Sequence, residues 1–226
     1  KVLPNPETSK TLIINNPHVK KSLEYLNKSL SSSIDPSGGV FYPDPFEKYF
    51  TFNDLTQKGA ITGIRVEGPA NSVDHRINRL SKELDLLDNE FSVLNVDQSN
   101  IFWHKTKNLE VFSSSKKNLL RVVLPMSETL SFLHKLKNVD FNYFLDWGGS
   151  LIWLELGHIS LNILNKIRDF TKEHKGYLTL IKVEEDMKAS ADIFTIDPIK
   201  YKISEKIKKS FDPKRILNPG KMYTGI

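Results

Sequence analysis

The 226-residue chain is 39% hydrophobic and 26% charged, an ordinary balance for a globular protein long enough to bury a sizeable core. It has no cysteine, which excludes disulfides and thiolate chemistry, and no apolar run of about 18 residues that would make a membrane-spanning helix. Lys and Arg (32) exceed Asp and Glu (27) for a net charge of +5, but much of the surplus sits in Lys200 to Lys209 and in scattered lysines, the pattern of a solvated face rather than a polyanion site.

In chain order, residues 1–10 lead into a first apolar strand, Thr11 to Asn15. A helix is expected from Pro17 to Ser31, with Asn16 as its cap and Val19, Leu23, Leu26 and Leu30 on one face. Strands Gly39 to Tyr42 and Ile61 to Glu67 follow, separated by an aromatic-rich insertion, Pro43 to Gly59, that reads as a surface excursion. A second helix, Asn71 to Leu86, repeats the apolar offsets at Val73, Ile77, Leu80 and Leu84, and strand Phe91 to Asn95 closes the set. A connecting helix, Asp97 to Phe112, carries Phe102, Lys105, Leu109 and Phe112 on one face, and Ser113 to Lys117 forms a joint.

The plan then repeats. Strands Leu119 to Leu124, Phe141 to Trp147, Leu151 to Leu156 and Tyr177 to Val183 alternate with helices Glu128 to Lys137 and Ser160 to His174, the latter with Ile163, Ile167, Phe170 and His174 in register. The fold expected is therefore α+β, two ferredoxin-like β-α-β-β-α-β halves (11–96 and 118–196) joined by 97–117 into one antiparallel sheet, with helices on one face. The other sheet face is left open to a partner. Residues 197–226 add a helix from Asp197-Pro198 to about Ser210 and a terminal hook.

That hook, Phe211-Asp-Pro-Lys-Arg-Ile-Leu-Asn-Pro-Gly-Lys-Met-Tyr, has two proline turns that hold Ile216 and Leu217 on a stiff loop. It resembles the closing motif of FAD-linked oxidases of the vanillyl-alcohol oxidase type. Five further blocks occur in matching order: Lys1-Val-Leu-Pro-Asn-Pro6, Arg65-Val-Glu-Gly68, Ile101-Phe-Trp103, Leu120-Arg-Val-Val-Leu-Pro125 and Leu145-Asp-Trp-Gly-Gly149. Within the family they are most similar to the FAD-binding subunits of bacterial glycolate oxidases, and together they span nearly the whole chain.

The resemblance implies a cap, or substrate, domain that closes over FAD held by another domain, with residues 1–10 as the end of a linker from that domain. It implies oxidation of glycolate or a related 2-hydroxy acid, with electrons passing to an iron–sulfur subunit, by a polypeptide that does not act alone. It places Asn218 and Lys221 near the flavin domain. The lack of a membrane-spanning run and of a signal peptide at the N-terminus reads as a cytoplasmic location, and partner subunits would make it peripheral at the inner membrane. No glycine-rich strand-turn-helix loop that cradles phosphate is present, since the glycine pairs are Gly38-Gly39 and Gly148-Gly149.

The residues themselves offer a few chemical candidates. Arg65 and Arg121 interrupt apolar strands, and a guanidinium fork suits a carboxylate or phosphate; the alternative is an ion pair with Glu67, Glu155 or Asp146. Trp103, Trp147 and Trp153 are candidates to line a pocket over a flavin ring or simply to fill the core, and His104 is the one histidine considered for that pocket. No histidine pair has ligand spacing, so no metal site is expected, and the His-x-Gly-Asp-Gly-Asn-x-His motif of related oxidases is absent. Neither a nucleophile elbow nor a usable carboxylate pair appears, and Glu184-Glu185-Asp186 reads as solvated. A competing reading, a basic tandem RRM-like RNA-binding protein, shares the β-α-β-β-α-β order but lacks its stacking aromatics: the third strands hold only Trp153.

Overall fold

The computed structural model describes residues 5–15, 18–43, 59–185, 187, 191–195, 197–221, 223 and 226. The Asn16-Pro17 helix start, residues 44–58 of the insertion, Lys1 to Pro4 of the linker and Asp186 of the acidic run lie outside them. The elements are β1 (Thr8–Asn15), α1 (Val19–Leu30), β2 (Gly38–Tyr42), β3 (Ile61–Gly68), α2 (Ala70–Glu83), β4 (Phe91–Leu94), α3 (Val96–Lys107), β5 (Asn118–Val123), α4 (Thr129–Lys135), β6 (Phe141–Asp146), β7 (Leu151–Leu156), α5 (Leu161–Glu173), β8 (Tyr177–Lys182) and α6 (Pro198–Phe211). The strands form one eight-stranded antiparallel sheet in the order β4-β1-β3-β2-β6-β7-β5-β8. The first four follow the split β-α-β order, and the last four follow the same order reversed. The chain folds as two compact units, Lys1–Ser115 with Tyr143–Ile152, and Lys116–Asn142 with Trp153–Ile226.

In the first unit, β1 pairs with β3 from Thr8 opposite Gly68 to Asn15 opposite Ile61. Leu12, Ile14, Leu26, Val73, Ile77, Leu80 and Leu84 are buried, so the apolar spacing of α2 marks its inner face along its whole length. Neighbouring residues of a strand face opposite ways, and β3 is filled on both sides. The Thr62 hydroxyl donates to Ser22 of α1 (2.7 Å), while Gly63 lies under Phe102 of α3, where a Cβ would come within 3.0 Å of the ring.

The connecting helix thus covers the sheet face that the sequence reading leaves open in this half. Its inner side is partly polar, with buried Ser99, Phe102 and Thr106, and therefore shows no clean apolar stripe. The hydroxyls are matched from the sheet: Ser99 Oγ meets Thr11 Oγ1 at 2.7 Å and Ser9 Oγ at 3.1 Å, and the Tyr42 hydroxyl donates to Thr106 Oγ1 at 3.0 Å. Burial raises the Tyr42 pKa far above the phenolic range. A capping box between Asn95 and Gln98 starts α3. The helix stops at Lys107, five residues earlier than expected, because Leu109 turns left-handed at φ 54°; Phe112 is then buried from a separate 3-10 turn and stacks on Phe144 at 5.8 Å.

In the second unit, β5 pairs with β8, with a bulge between Leu119 and Leu120. Leu120 and Val122 are fully buried, and the helices supply Phe132, Leu164, Ile167 and Phe170; the Phe132 and Phe170 rings lie 5.5 Å apart. The α5 stripe is centred one residue beyond the expected Ile163, on Leu164. Residues 193–195 pair with the outer edge of β8 through Leu180 N–H to Ile193 (2.9 Å) and Thr195 N–H to Leu178 (3.0 Å), which blunts that edge. Arg168 donates to the Asp192 carbonyl and ties this segment to α5; burial lowers its pKa, partly offset by the Asp192 charge.

Candidate functional site

Arg65 and Trp103 meet in the first unit. The register places Arg65 of β3 opposite Thr11 on one side and Gly38 on the other. Its guanidinium lies 4.8 Å from the centre of the Trp103 ring, a cation–π contact, while Nε donates to Ser37 Oγ at 3.0 Å and stands 3.3 Å from Glu67 Oε2. The Trp103 indole N–H donates to Thr11 Oγ1 at 2.8 Å, and a Cβ at Gly38 would lie 2.9 Å from the ring. Two of the expected substrate contacts are therefore locked to each other, and the alternative of an Arg65–Glu67 ion pair is present.

His104, adjacent to Trp103 in the chain, points elsewhere. Its side chain is 70% exposed, with Asn108 Nδ2 at 3.1 Å from Nδ1 and Glu110 at 3.7 Å. Arg121 belongs to the second unit: it is half-buried on β5 opposite Thr179 of β8, on the strand side shared with Leu119 and Val123. Glu155, almost fully buried, accepts from Asn142 Nδ2 at 2.9 Å and has Lys117 Nζ at 4.0 Å. Among the described residues no group of three His, Asp or Glu is placed to hold a metal ion, and no helix is long and apolar enough to cross a membrane.

Asn218 and Lys221 lie in the terminal hook. The Asp197 side chain accepts from the Lys200 N–H at 2.8 Å, and Pro198 opens α6. At the other end the Asp212 carboxylate accepts from the N–H groups of Ile216 (3.1 Å) and Leu217 (2.9 Å) and pairs with Lys208 at 2.8 Å; Lys208 also donates to the Leu217 carbonyl. These bonds hold the Asp212 pKa down to about 2. Arg215, Asn218 and Gly220 take positive φ, the Lys221 N–H returns to the Asn218 carbonyl at 3.2 Å, and the Gly220 N–H to the Ile226 carbonyl at 2.8 Å.

Among the described residues, Tyr223 and Arg215 tie the hook to the rest of the second unit. Tyr223 packs against Phe194 and Tyr201, with centroids about 6 Å apart. Tyr201, Glu205, Lys208 and Asp212 recur on the α6 side that faces the hook, where Glu205 meets Arg215 at 3.6 Å. Ile199, Ile203 and Ile207 recur every fourth residue on the opposite side, within about 80° of one another. All three are more than half exposed, no residue of α6 is buried, and Phe211 (84%), Ile216 (72%) and Leu217 (60%) extend the apolar surface. The helix is amphipathic the wrong way round for a free domain: polar inward, isoleucine outward. Sequence reasoning singled out the hook's rigidity but not this stripe, although the spacing of 199, 203 and 207 would have revealed it.

The sheet also bears on nucleic acid. In the first unit Phe102 and Trp103 of α3 occupy the face that an RRM offers to bases, so the RNA-binding alternative loses its platform there.

Residues 194–222, which contain α6 and most of the hook, match the family model for the C-terminal domain of FAD linked oxidases. Solved structures with a similar fold include p-cresol methylhydroxylase with substrate bound (12% identity, TM-score 0.64, 98% of this chain and 54% of that one). They also include the isoeugenol complex of 4-ethylphenol oxidase from Gulosibacter chungangensis (13%, TM-score 0.62, 98% and 55%) and alkyldihydroxyacetonephosphate synthase (13%, TM-score 0.53, 95% and 45%). The chain thus spans about half the length of these structures. No curated protein sequence matches it.

Proposed function

We propose that this chain is the cap domain of an FAD-linked oxidase, closing over a flavin held by a separate domain or polypeptide. The observation that carries the reading is the coincidence of the family match, residues 194–222, with the exposed apolar surface formed by Ile199, Ile203, Ile207, Phe211, Ile216 and Leu217. A helix and hook built to expose Ile199, Ile203, Ile207, Phe211, Ile216 and Leu217 need a partner surface, and a flavin-binding domain is the partner the match suggests. Lys200, Lys202, Lys206 and Lys209 flank the stripe, so the surface it meets is apolar with carboxylates at its rim.

The glycine pairs do not fit the pyrophosphate end of FAD. Gly38 and Gly39 abut Trp103 and Leu26, and Gly148 abuts Leu30, so these glycines serve internal packing and leave no backbone nest for phosphate. The reading divides the labour: a flavin bound by its own domain would supply the redox chemistry, while this chain covers and orients. In the finer reading the substrate is glycolate or a related 2-hydroxy acid, Arg121 and the Arg65–Trp103 pair with His104 serve the substrate side, Asn218 and Lys221 lie at the flavin domain, and an iron–sulfur subunit takes the electrons. Arg121 is offered for a carboxylate because its guanidinium fork interrupts an apolar strand and is only half-buried there.

The visible spectrum of the purified chain, alone and after co-expression with a flavin-domain polypeptide, tests the reading. A colourless chain and a yellow complex with equimolar flavin are expected; stoichiometric flavin on the chain alone would overturn it.

A further inference from the structure

The sheet has two outer edges, and the chain treats them differently. Residues 193–195 pair with the outer side of β8. At the other end stands β4, and among the described residues no strand pairs with its outer side. An open edge matters because its backbone groups are a template for pairing with another polypeptide.

The register identifies those groups. The Asn15 N–H donates to the Glu90 carbonyl at 3.0 Å, while Ile14 stands opposite Phe91 and Leu12 opposite Val93. Bonded and non-bonded pairs alternate along an antiparallel ladder, so Glu90, Ser92 and Leu94 turn their backbone groups toward β1, and Phe91 and Val93 turn theirs outward. Two donors and two acceptors line the edge. The side chains beside them are apolar and partly open: Val93 is 37% exposed, Phe91 is half-buried, and Leu87, in the turn before the strand, is 66% exposed. The strand, Phe-Ser-Val-Leu, carries neither proline nor charge, and its pairing with β1 has no bulge, so nothing in β4 itself blunts the edge.

Charge decides the occupant. Asp88 and Glu90 are exposed at the start of β4, Asp97 is exposed in the first turn of α3 just past its end, and Lys10 of β1 is paired with Asp74. A second copy paired on β4 about a twofold axis would bring the Asp88–Glu90 end of one strand against the Asp97 end of the other, and these like charges repel. We infer that β4 is a docking edge for an extended segment of a partner polypeptide, with apolar residues at alternate positions and a lysine or arginine at each end. The segment joins the sheet as a further strand: backbone bonds supply the affinity, and the acidic ends select. Neither the edge nor its test depends on the flavoenzyme reading.

An NMR titration of the isotope-labelled 226-residue chain with the peptide acetyl-Lys-Val-Thr-Val-Thr-Lys-amide, and with its counterpart carrying Glu at both ends, tests this. Saturable amide shifts centred on Phe91 and Val93 are expected, with about fivefold weaker binding of the Glu-ended peptide. Val93→Pro removes one outward donor at an edge position that accommodates proline, and it lowers affinity for the Lys-ended peptide about tenfold with circular dichroism unchanged. Should that variant fail to fold, the surface double variant Asp88→Lys, Asp97→Lys carries the test by reversing the preference between the two peptides. Unmoved Phe91 and Val93 amides, or equal binding of both peptides, overturns the inference. So does slow hydrogen exchange at Phe91 and Val93 in the free chain, which would mean that the chain covers its own edge, and so does a dimer in sedimentation that Val93→Pro dissociates, which would make a second copy the occupant.

Discussion

Lys208 and Asp212 face each other across one turn of α6 at 2.8 Å, and the same carboxylate receives the N–H groups of Ile216 and Leu217. The salt bridge is thereby a fastener: it folds the chain back on the helix and fixes two apolar side chains outward before any partner arrives. Preordering of this kind lowers the entropy lost on docking.

Acid should loosen this fastener. The Asp212 pKa in the folded chain, about 2, lies below the ordinary carboxylate value of about 4. The unfolded chain therefore binds more protons in this range, so the contribution is complete above roughly pH 4 and is lost as pH falls toward 2. Melting temperatures of wild type and Asp212→Asn should differ at pH 6 and converge near pH 2. A gap that stays constant over this range would argue against the assignment.

Phe102 carries much of the packing between α3 and the sheet, with its ring over Gly63 and edge-on to Tyr42 at 6.2 Å. Phe102→Ala should cost about 3–5 kcal/mol, the usual penalty for deleting a fully buried ring. Urea denaturation of the two proteins reads it directly.

At Gly38 the opposite change should hurt. Gly38→Ala places a methyl 2.9 Å from the Trp103 ring, which Arg65 and Thr11 hold in place. About 1–3 kcal/mol of overpacking is expected. A thermal melt that does not move would mean that the ring shifts freely.

Arg76 is the most heavily used arginine of the first unit. Its Nε donates to the Ile34 carbonyl (2.7 Å), Nη1 to Glu67 (2.9 Å) and Nη2 to Asp35 (2.7 Å). A lysine cannot reproduce three donors in a plane, so Arg76→Lys should lose about 1–3 kcal/mol by the same urea measurement.

How far the residues announced their roles depends on what buries them. Val73, Ile77, Leu80 and Leu84 declared an inner face because an apolar core demands apolar side chains at helical spacing, and all four are buried. Ser99 and Thr106 gave no such signal: their hydroxyls face inward because Ser9, Thr11 and Tyr42 satisfy them, a match that only the folded register creates. Arg76 looked like one more polar helix residue for the same reason, since its partners are backbone carbonyls. Arg65 and Trp103 were both picked out, but their contact requires β3 and α3 to meet over Gly38. Trp147 read as one of three equivalent tryptophans until the turn geometry set it apart.

The central claim is that α6 and the hook exist to bind a flavin domain. Co-purification of the chain with a flavin-domain polypeptide, compared between wild type and an Ile203→Asp, Ile207→Asp double variant, tests it most directly. Both substitutions lie on an exposed face, so the variant chain should melt within about 1 kcal/mol of wild type. An equimolar yellow complex is expected for wild type, with at least a hundredfold weaker association for the variant, about 2.7 kcal/mol. Equal recovery of flavin domain by both proteins would contradict the claim.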